Sequence, residues 1–424
     1  MKFPDKKNSL ILVIAVIVLL IPVILLETNL LRQTNGNISY PLDSSFLNIS
    51  TAKNLAFYKV WGVSKYTFQP ATASLLYPFV LALIFFIAGA HLIIPVILNT
   101  IMAILFLYTL QQAFIRRQIE PATQAILLLG TTLITALPLL VVSGTETVLQ
   151  LLLCLLFIDT LIQTLHNSKS KLPRRVYQYA FLAVAARYDN LLLILLIAIL
   201  LHSLNRRREA LKLTAIAITP IVIFGGVSLI KGSYFLPTPL VTGSYPLYLV
   251  TLTIIAFGIA LLLILKHHRP VTAATVMALP LIVQSVPALA HFTQDSVRIY
   301  EQQYPIAAFV HRYYQRGTIG ANDVAALTYF SDGRKIDYSG ATGADIDSLT
   351  RKNGVSTAIL SDSSFESGAP SNWFRIASWD MPDARPGATR TFTFYSVYRW
   401  DSVLQRRLRD FQPLLPTRIS VRYY

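Results

Sequence analysis

The sequence predicts a mainly α, polytopic transmembrane helical bundle with about nine spans, a re-entrant or interfacial helix, and a small C-terminal α/β domain. Three observations carry this. Hydrophobic residues make up 54% of the 424 positions and charged residues 14%, well below the quarter usual in soluble domains; the mean hydropathy is +0.53. The Lys and Arg residues behind the net charge of +16 sit in short blocks between apolar runs, as in loops kept on the inner side of a membrane, and not in a nucleic-acid-binding face. From about Thr293 the apolar runs give way to alternating short strands and helices.

Ser9–Leu26 is long enough to span and follows Lys2, Lys6 and Lys7. No small-residue cleavage site succeeds it, so it is expected to be an uncleaved anchor with its N-terminus inside. Residues 27–73 then form an outer loop. Within it Phe46, Ile49, Ala52, Leu55 and Ala56 recur at helical spacing, which suits a helix lying on a membrane surface. Its carboxylate, Asp43, falls at the helix's expected start, where backbone N–H groups would hold it ionised; a plain N-cap aspartate fits the same position.

Residues 74–109 are apolar, with a break near Gly89-Ala-His91. Spans follow at about 121–142, 145–165, 176–187, 190–204, 210–230, 246–266 and 271–290. The basic blocks are Arg116-Arg117; Lys169, Lys171, Arg174 and Arg175; Arg206-Arg207-Arg208; and Lys266 with Arg269. Placing all of them inside requires 74–88 to be re-entrant and 92–112 to cross, giving nine crossings and an outside C-terminus.

The hairpin 176–204 turns at Ala186-Arg187-Tyr188-Asp189-Asn190. Helices of about 12 and 15 residues reach only ~18–22 Å of a ~30 Å hydrocarbon core, so Arg187 and Asp189 are expected at membrane depth. The turn Ser143-Gly-Thr-Glu146 adds a carboxylate at similar depth. Charges there mark either a functional cavity or a structural ion pair closing a short hairpin. Pro237-Thr238-Pro239 lies in an outer loop suited to a lid or clamp.

Residues 1–292 thus form the transmembrane domain and 293–424 an extracytoplasmic domain. There a helix striped by Val297, Tyr300, Tyr304, Ala307, Ala308 and Val310 precedes strands at Thr318–Ala321, Lys335–Tyr338, Thr357–Leu360, Arg375–Trp379 and Thr391–Val397, with a helix near Val324–Phe330. A small, mostly parallel sheet is expected. Asn322-Asp323 ends the first strand, as turn chemistry or as part of a site. The single cysteine, Cys154, excludes an intrachain disulfide, and the histidines show no metal-ligand spacing. Asn37 and Asn48 head formal glycosylation sequons.

Several short segments, in order, resemble the polytopic glycosyltransferases of the GT-C superfamily, arabinofuranosyltransferases and protein mannosyltransferases among them. They are Leu42-Asp43-Ser44-Ser45-Phe46; Ala52-Lys53-Asn54-Leu55-Ala56; Ala71–Pro78; Ser143–Glu146; Arg187-Tyr-Asp189; Leu236-Pro237-Thr238; and Asn322-Asp323-Val-Ala-Ala326. The chain departs from the family pattern at Ser44, in place of a second aspartate, at Thr238, in place of an asparagine, and at Ala325, in place of a glycine.

The resemblance implies transfer of a sugar from a polyprenyl-phosphate donor to a glycan or lipid acceptor hydroxyl on the outer face of a bacterial inner membrane. Asp43 would be the general base, Arg187 and Lys53 would bind the donor phosphate, Glu146 and Asp189 would orient groups in the cavity, and Asn322 and Asp323 would contribute from the tail. No cofactor, metal or nucleic acid is indicated beyond the lipid-linked donor and membrane lipid. A non-catalytic lipid-linked-sugar flippase or polysaccharide-assembly partner would use the same charged cavity.

Overall fold

The computed structural model describes residues 6–166, 171–237, 270–315, 317–322, 325–338, 343–361, 369–382 and 389–424. The chain divides into two compact units. The first comprises Met1–Asn29 and Pro70–Phe292; the second comprises Leu30–Gln69 and Thr293–Tyr424. Most of the predicted outer loop therefore groups with the C-terminal residues.

The helices up to residue 230 are α1 (Lys6–Gln33), α2 (Asp43–Tyr58), α3 (Leu76–Ala88), α4 (Ile93–Arg116), α5 (Pro121–Ile134), α6 (Leu137–Val142), α7 (Thr147–His166), α8 (Arg174–Ala186), α9 (Asn190–Ser203) and α10 (Arg207–Ile230). Four of the described helices, α1, α4, α7 and α10, are long and apolar enough to cross a membrane. Of the other expected spans up to residue 230, α8 and α9 are the short helices foreseen, with 13 and 14 residues. The span at 121–142 is broken between α5 and α6, where Ala136 takes φ +45°. Pro138 lacks the N–H that a continuous helix would donate to Ile134, so the helix restarts. At Gly89 the backbone turns with φ +85° between α3 and α4, and a Cβ there would press on the His91 ring. The predicted span at 246–266 and the Lys266/Arg269 block lie outside the described residues. Residues 271–290 belong to the long helix α11 (Pro270–Tyr313).

The second unit continues with β1 (Thr318–Ala321), α12 (Ala325–Phe330), β2 (Arg334–Asp337), α13 (Gly343–Asn353), β3 (Thr357–Ser361), β4 (Phe374–Pro382), β5 (Thr389–Ser396), α14 (Ser402–Phe411) and β6 (Ser420–Tyr423). The strand order is β2-β1-β3-β5-β4-β6. β1 pairs in parallel with β2 and β3, whereas β3–β5, β4–β5 and β4–β6 are antiparallel. The expected mostly parallel sheet is thus corrected to a mixed one. The parallel half follows from α12 and α13, which supply the crossovers. Only six residues join β4 to β5, too few for the dozen or so that a parallel crossover needs.

Strand alternation gives the sheet two buried faces. On one, Ile319, Ile359, Trp379 and Phe394 pack under the C-terminal part of α11 and under Leu404, Leu408 and Phe411 of α14. Phe309 of α11 meets Trp379, Phe394 and Phe411 edge-on, with centroids 5.4–5.7 Å apart. On the other face Tyr338, Ala358, Leu360, Trp373 and Tyr395 cluster with Ile346 of α13. Gly320 has no side chain because the Tyr338 ring occupies that space.

The apolar stripe of α2 corrects a second expectation. Phe46, Ile49, Ala52 and Ala56 are buried in protein, not presented to lipid. Phe46 packs on Phe330 of α12 with centroids 6.1 Å apart, and Ser50 hydrogen-bonds Thr328 at 3.0 Å. A helical stripe specifies an apolar partner without saying which one.

Candidate functional site

Most of the site residues expected from sequence fall in two polar centres, one in each unit. In the first unit, Glu146 follows the turn after α6, where Gly144 takes φ +69°, and Arg187 and Asp189 occupy the turn between α8 and α9. Arg187 leaves the helix with extended backbone (φ −157°, ψ 130°), which directs its side chain away from the α8 axis. One guanidinium nitrogen lies 3.1 Å from Asp189 Oδ2 and the other 3.7 Å from Glu146 Oε1. All three residues are buried, at 6–8% exposure. The sequence-predicted trio is therefore brought together as two carboxylates around one guanidinium, with a formal charge of −1.

A layer of amides and hydroxyls supports this trio. Asn99 of α4 donates to the carbonyls of Val141 (3.3 Å) and Thr145 (3.0 Å), and the Tyr77 hydroxyl donates to that of Gly144 (3.2 Å). These bonds satisfy carbonyls at the α6–α7 turn that would otherwise be costly in an apolar bundle. Asn190 caps the other turn: it donates to Ala183 O (2.7 Å) and accepts from Gln150 of α7 (2.8 Å). Sequence reasoning passed over Asn99 and Gln150. The available signal was an amide set within an apolar run of each helix.

A further charged group missed from sequence sits in the same unit. Asp159, buried in α7, pairs with Arg116 and, at 3.0 Å, with Arg117, and accepts from Gln163 at 2.7 Å. Two arginines neutralise it, and it ties the C-terminal end of α4 to α7.

In the second unit, Asp43 is the first residue of α2, after an N-cap Leu42 whose side chain cannot cap. Its carboxylate is not held by backbone N–H groups as expected. Gln303 of α11 donates to its Oδ1 (3.1 Å), while the Gln303 carbonyl accepts the backbone N–H of Ala326 at the start of α12 (2.9 Å). Asn322, at the carboxyl end of β1, forms a reciprocal pair with the backbone of Ser361 at the end of β3 (3.0 and 2.8 Å). Arg390 reaches Ser361 Oγ (2.6 Å) and Gln302 (3.4 Å). These groups gather at the carboxyl ends of β1 and β3, where the chain, having added β2 on one side of β1, adds β3 in parallel on the other. Open α/β sheets place ligands at such points. Asp323 lies outside the described residues.

Lys53 is elsewhere on α2, ten residues and about 15 Å of helix from Asp43. Its ammonium pairs with Asp332 (3.0 Å), donates to Tyr329 O (3.0 Å) and lies over the Tyr329 ring. Burial works against ionisation of Asp332, but the Lys53 hydrogen bond and the charges of Lys53, Lys65 and Lys335 hold its carboxyl below the ordinary value. Lys335 is pushed down to about 7, first by burial and then by Lys53 and Lys65, with Asp332 opposing. Among the described residues no group of three His, Cys, Asp or Glu could hold a metal ion. Asn48 is buried, so its sequon is closed to a glycan in the folded chain.

Residues 295–398 match a domain of unknown function, DUF8728. No curated protein and no solved structure matches the chain.

Proposed function

We propose that the chain is an integral-membrane glycosyltransferase that moves a sugar from a polyprenyl-phosphate donor to an acceptor hydroxyl. The observation carrying this is the buried Glu146–Arg187–Asp189 trio at the turn ends of apolar helices. Ionisable groups in such surroundings point by default to a functional site. Sugar hydroxyls suit the two carboxylates, which accept hydrogen bonds. The donor phosphate suits Arg187, whose looser contact, 3.7 Å to Glu146, is the one a phosphate would displace. The acceptor oxygen attacks the anomeric carbon, the bond to the phosphate oxygen breaks, and polyprenyl phosphate leaves. The acceptor's proton passes to a carboxylate, for which the GT-C resemblance offers Asp43. The same reading takes nine crossings, with the N-terminus cytoplasmic and the C-terminal domain outside the inner membrane.

A second reading, a non-catalytic lipid-linked-sugar carrier or assembly partner, draws on two observations. Arg187 already has two carboxylate partners, and Asp43 is tied into the start of α12 through Gln303. The deciding experiment uses purified protein in lipid with a panel of polyprenyl-phosphate sugars, scoring donor binding and transfer separately. A general base contributes about 10²–10⁴-fold. Asp43→Asn keeps an acceptor for Gln303 and should lower transfer by that factor while donor binding stays. Undiminished transfer would remove Asp43 from the chemistry. Donor binding without transfer in the unaltered chain would establish the carrier.

A further inference from the structure

α8 and α10 run side by side with their N-terminal ends together. Leu172, two residues before α8, donates its backbone N–H to Glu209 in the first turn of α10 (3.0 Å), and Arg206, the N-cap of α10, pairs with the same carboxylate. Glu209 is thereby neutralised. Around it Arg174 and Arg175 open α8, and Arg207 and Arg208 open α10, all exposed. Among the described residues none of these four has an ion-pair partner. Two helix N-termini add their partial positive charges at this end.

Between the helices lies an open groove of about 590 Å³. Arg174, Tyr177 and Gln178 line its polar end, and Phe181, Leu182 and Ile216 its walls. Leu182 is eight residues beyond Arg174 on α8, and Ile216 nine beyond Arg207 on α10. The apolar walls therefore begin about 12 Å along the helices from the cationic end. A cationic mouth above an apolar trough matches an anionic amphiphile. A soluble anion would leave the trough unused, and a neutral lipid would leave the arginines unmatched.

We propose that this groove binds an anionic phospholipid of the surrounding bilayer, with its phosphate at Arg174 and Arg175 and an acyl chain along Phe181, Leu182 and Ile216. The site does not depend on the sugar-transfer chemistry. It gives α8, whose 13 residues cover about 20 Å of a ~30 Å core, a lipid anchored at the depth that the short helix requires. α8 runs up to its C-cap Arg187, so the lipid also braces the hairpin that carries Arg187 and Asp189.

The test uses the full-length chain in detergent, with lipid retention measured by native mass spectrometry and thermal unfolding by intrinsic fluorescence. The probes are dioleoyl-phosphatidylglycerol, dioleoyl-phosphatidylcholine and sodium phosphate. Phosphatidylglycerol should be retained and should raise the melting temperature, with neither effect from the other two. Each arginine at an anionic headgroup is worth about fivefold in affinity, so Arg174→Gln with Arg175→Gln should weaken phosphatidylglycerol binding about 30-fold. Ile216→Trp, which fills the trough and keeps every charge, should also lose the lipid. Should the double variant not fold, Ile216→Trp and the three-probe comparison on the unaltered chain decide. Equal retention of the two lipids, unchanged retention in both variants, or stabilisation by phosphate alone would overturn the proposal.

Discussion

Arg187 pairs with two buried carboxylates at once, which makes it an exacting position in the first unit. Arg187→Ala would remove the guanidinium that pairs with both Glu146 and Asp189 in an apolar bundle. Loss of one partner from a buried ion pair costs about 3–5 kcal/mol. Unfolding of the variant in detergent should show a loss of that order, and adding Glu146→Gln and Asp189→Asn should recover most of it. A single variant as stable as the unaltered chain would mean that water already solvates the carboxylates. These three residues were legible because ionisable groups stand out in apolar runs. Asn99 and Gln150 were not, since an uncharged amide in such a run carries little weight until the carbonyls it meets are known. Asp43 shows the opposite limit. Its place at the start of a helix was readable, but Gln303, its hydrogen-bond partner, is 260 residues away.

At the scale of elements, α2 shows what a periodic pattern leaves open. The stripe fixed the helix and its buried face, yet lipid and protein are equally apolar partners, so its packing on α12 was not readable. The strands before Val397 were found within a few residues, because β-branched and aromatic runs bounded by turn residues are a local signal. α14 and β6 were not assigned, and the antiparallel half of the sheet follows from connection length instead of pattern. The α2–α12–β2 corner also carries a pH dependence. In the unfolded chain Lys335 holds its proton up to about 10.5, whereas in the folded chain it releases it near 7. Between these values the unfolded state binds more protons, so stability should rise with pH from about 7 and level off near 10. Above that, unfolded tyrosines ionise while burial holds Tyr329 and Tyr338 up to about 12, which turns the trend down. Asp332 acts at the acid end: its contribution is present above the ordinary carboxylate range and is lost as pH falls through its lowered value. Melts followed by tryptophan fluorescence, with Trp373 and Trp379 in the second unit's two cores, should show the rise, and Lys335→Met should abolish it. A fall in stability between pH 7 and 9 would refute the assignment.

For the whole molecule, composition pointed to a membrane, and four of the described helices are long and apolar enough to cross one. The number of crossings is harder, because it depends on short helices that neither sequence nor length resolves. α8 and α9, with 13 and 14 residues, reach about 20 Å each, so they cross only where the bilayer thins or water enters. Charge then becomes the better guide. Arg116-Arg117, Arg174-Arg175 and Arg206-Arg207-Arg208 fall on one side only if α8 and α9 form a complete hairpin, as the proposed nine-crossing topology requires. Single cysteines test this directly, because the native Cys154 is buried and should not react. Cysteines replacing the exposed Lys59 and Arg351 should react with an impermeant maleimide in intact cells, and one replacing Arg208 only after permeabilisation. Arg351→Cys silent in intact cells while Lys59→Cys reacts would separate two positions of one compact unit across the bilayer, contradicting both the nine crossings and the grouping of Leu30–Gln69 with the C-terminal residues. Both silent, with Arg208→Cys reactive, would invert the chain and place the arginine blocks outside, against the electrostatics that govern insertion.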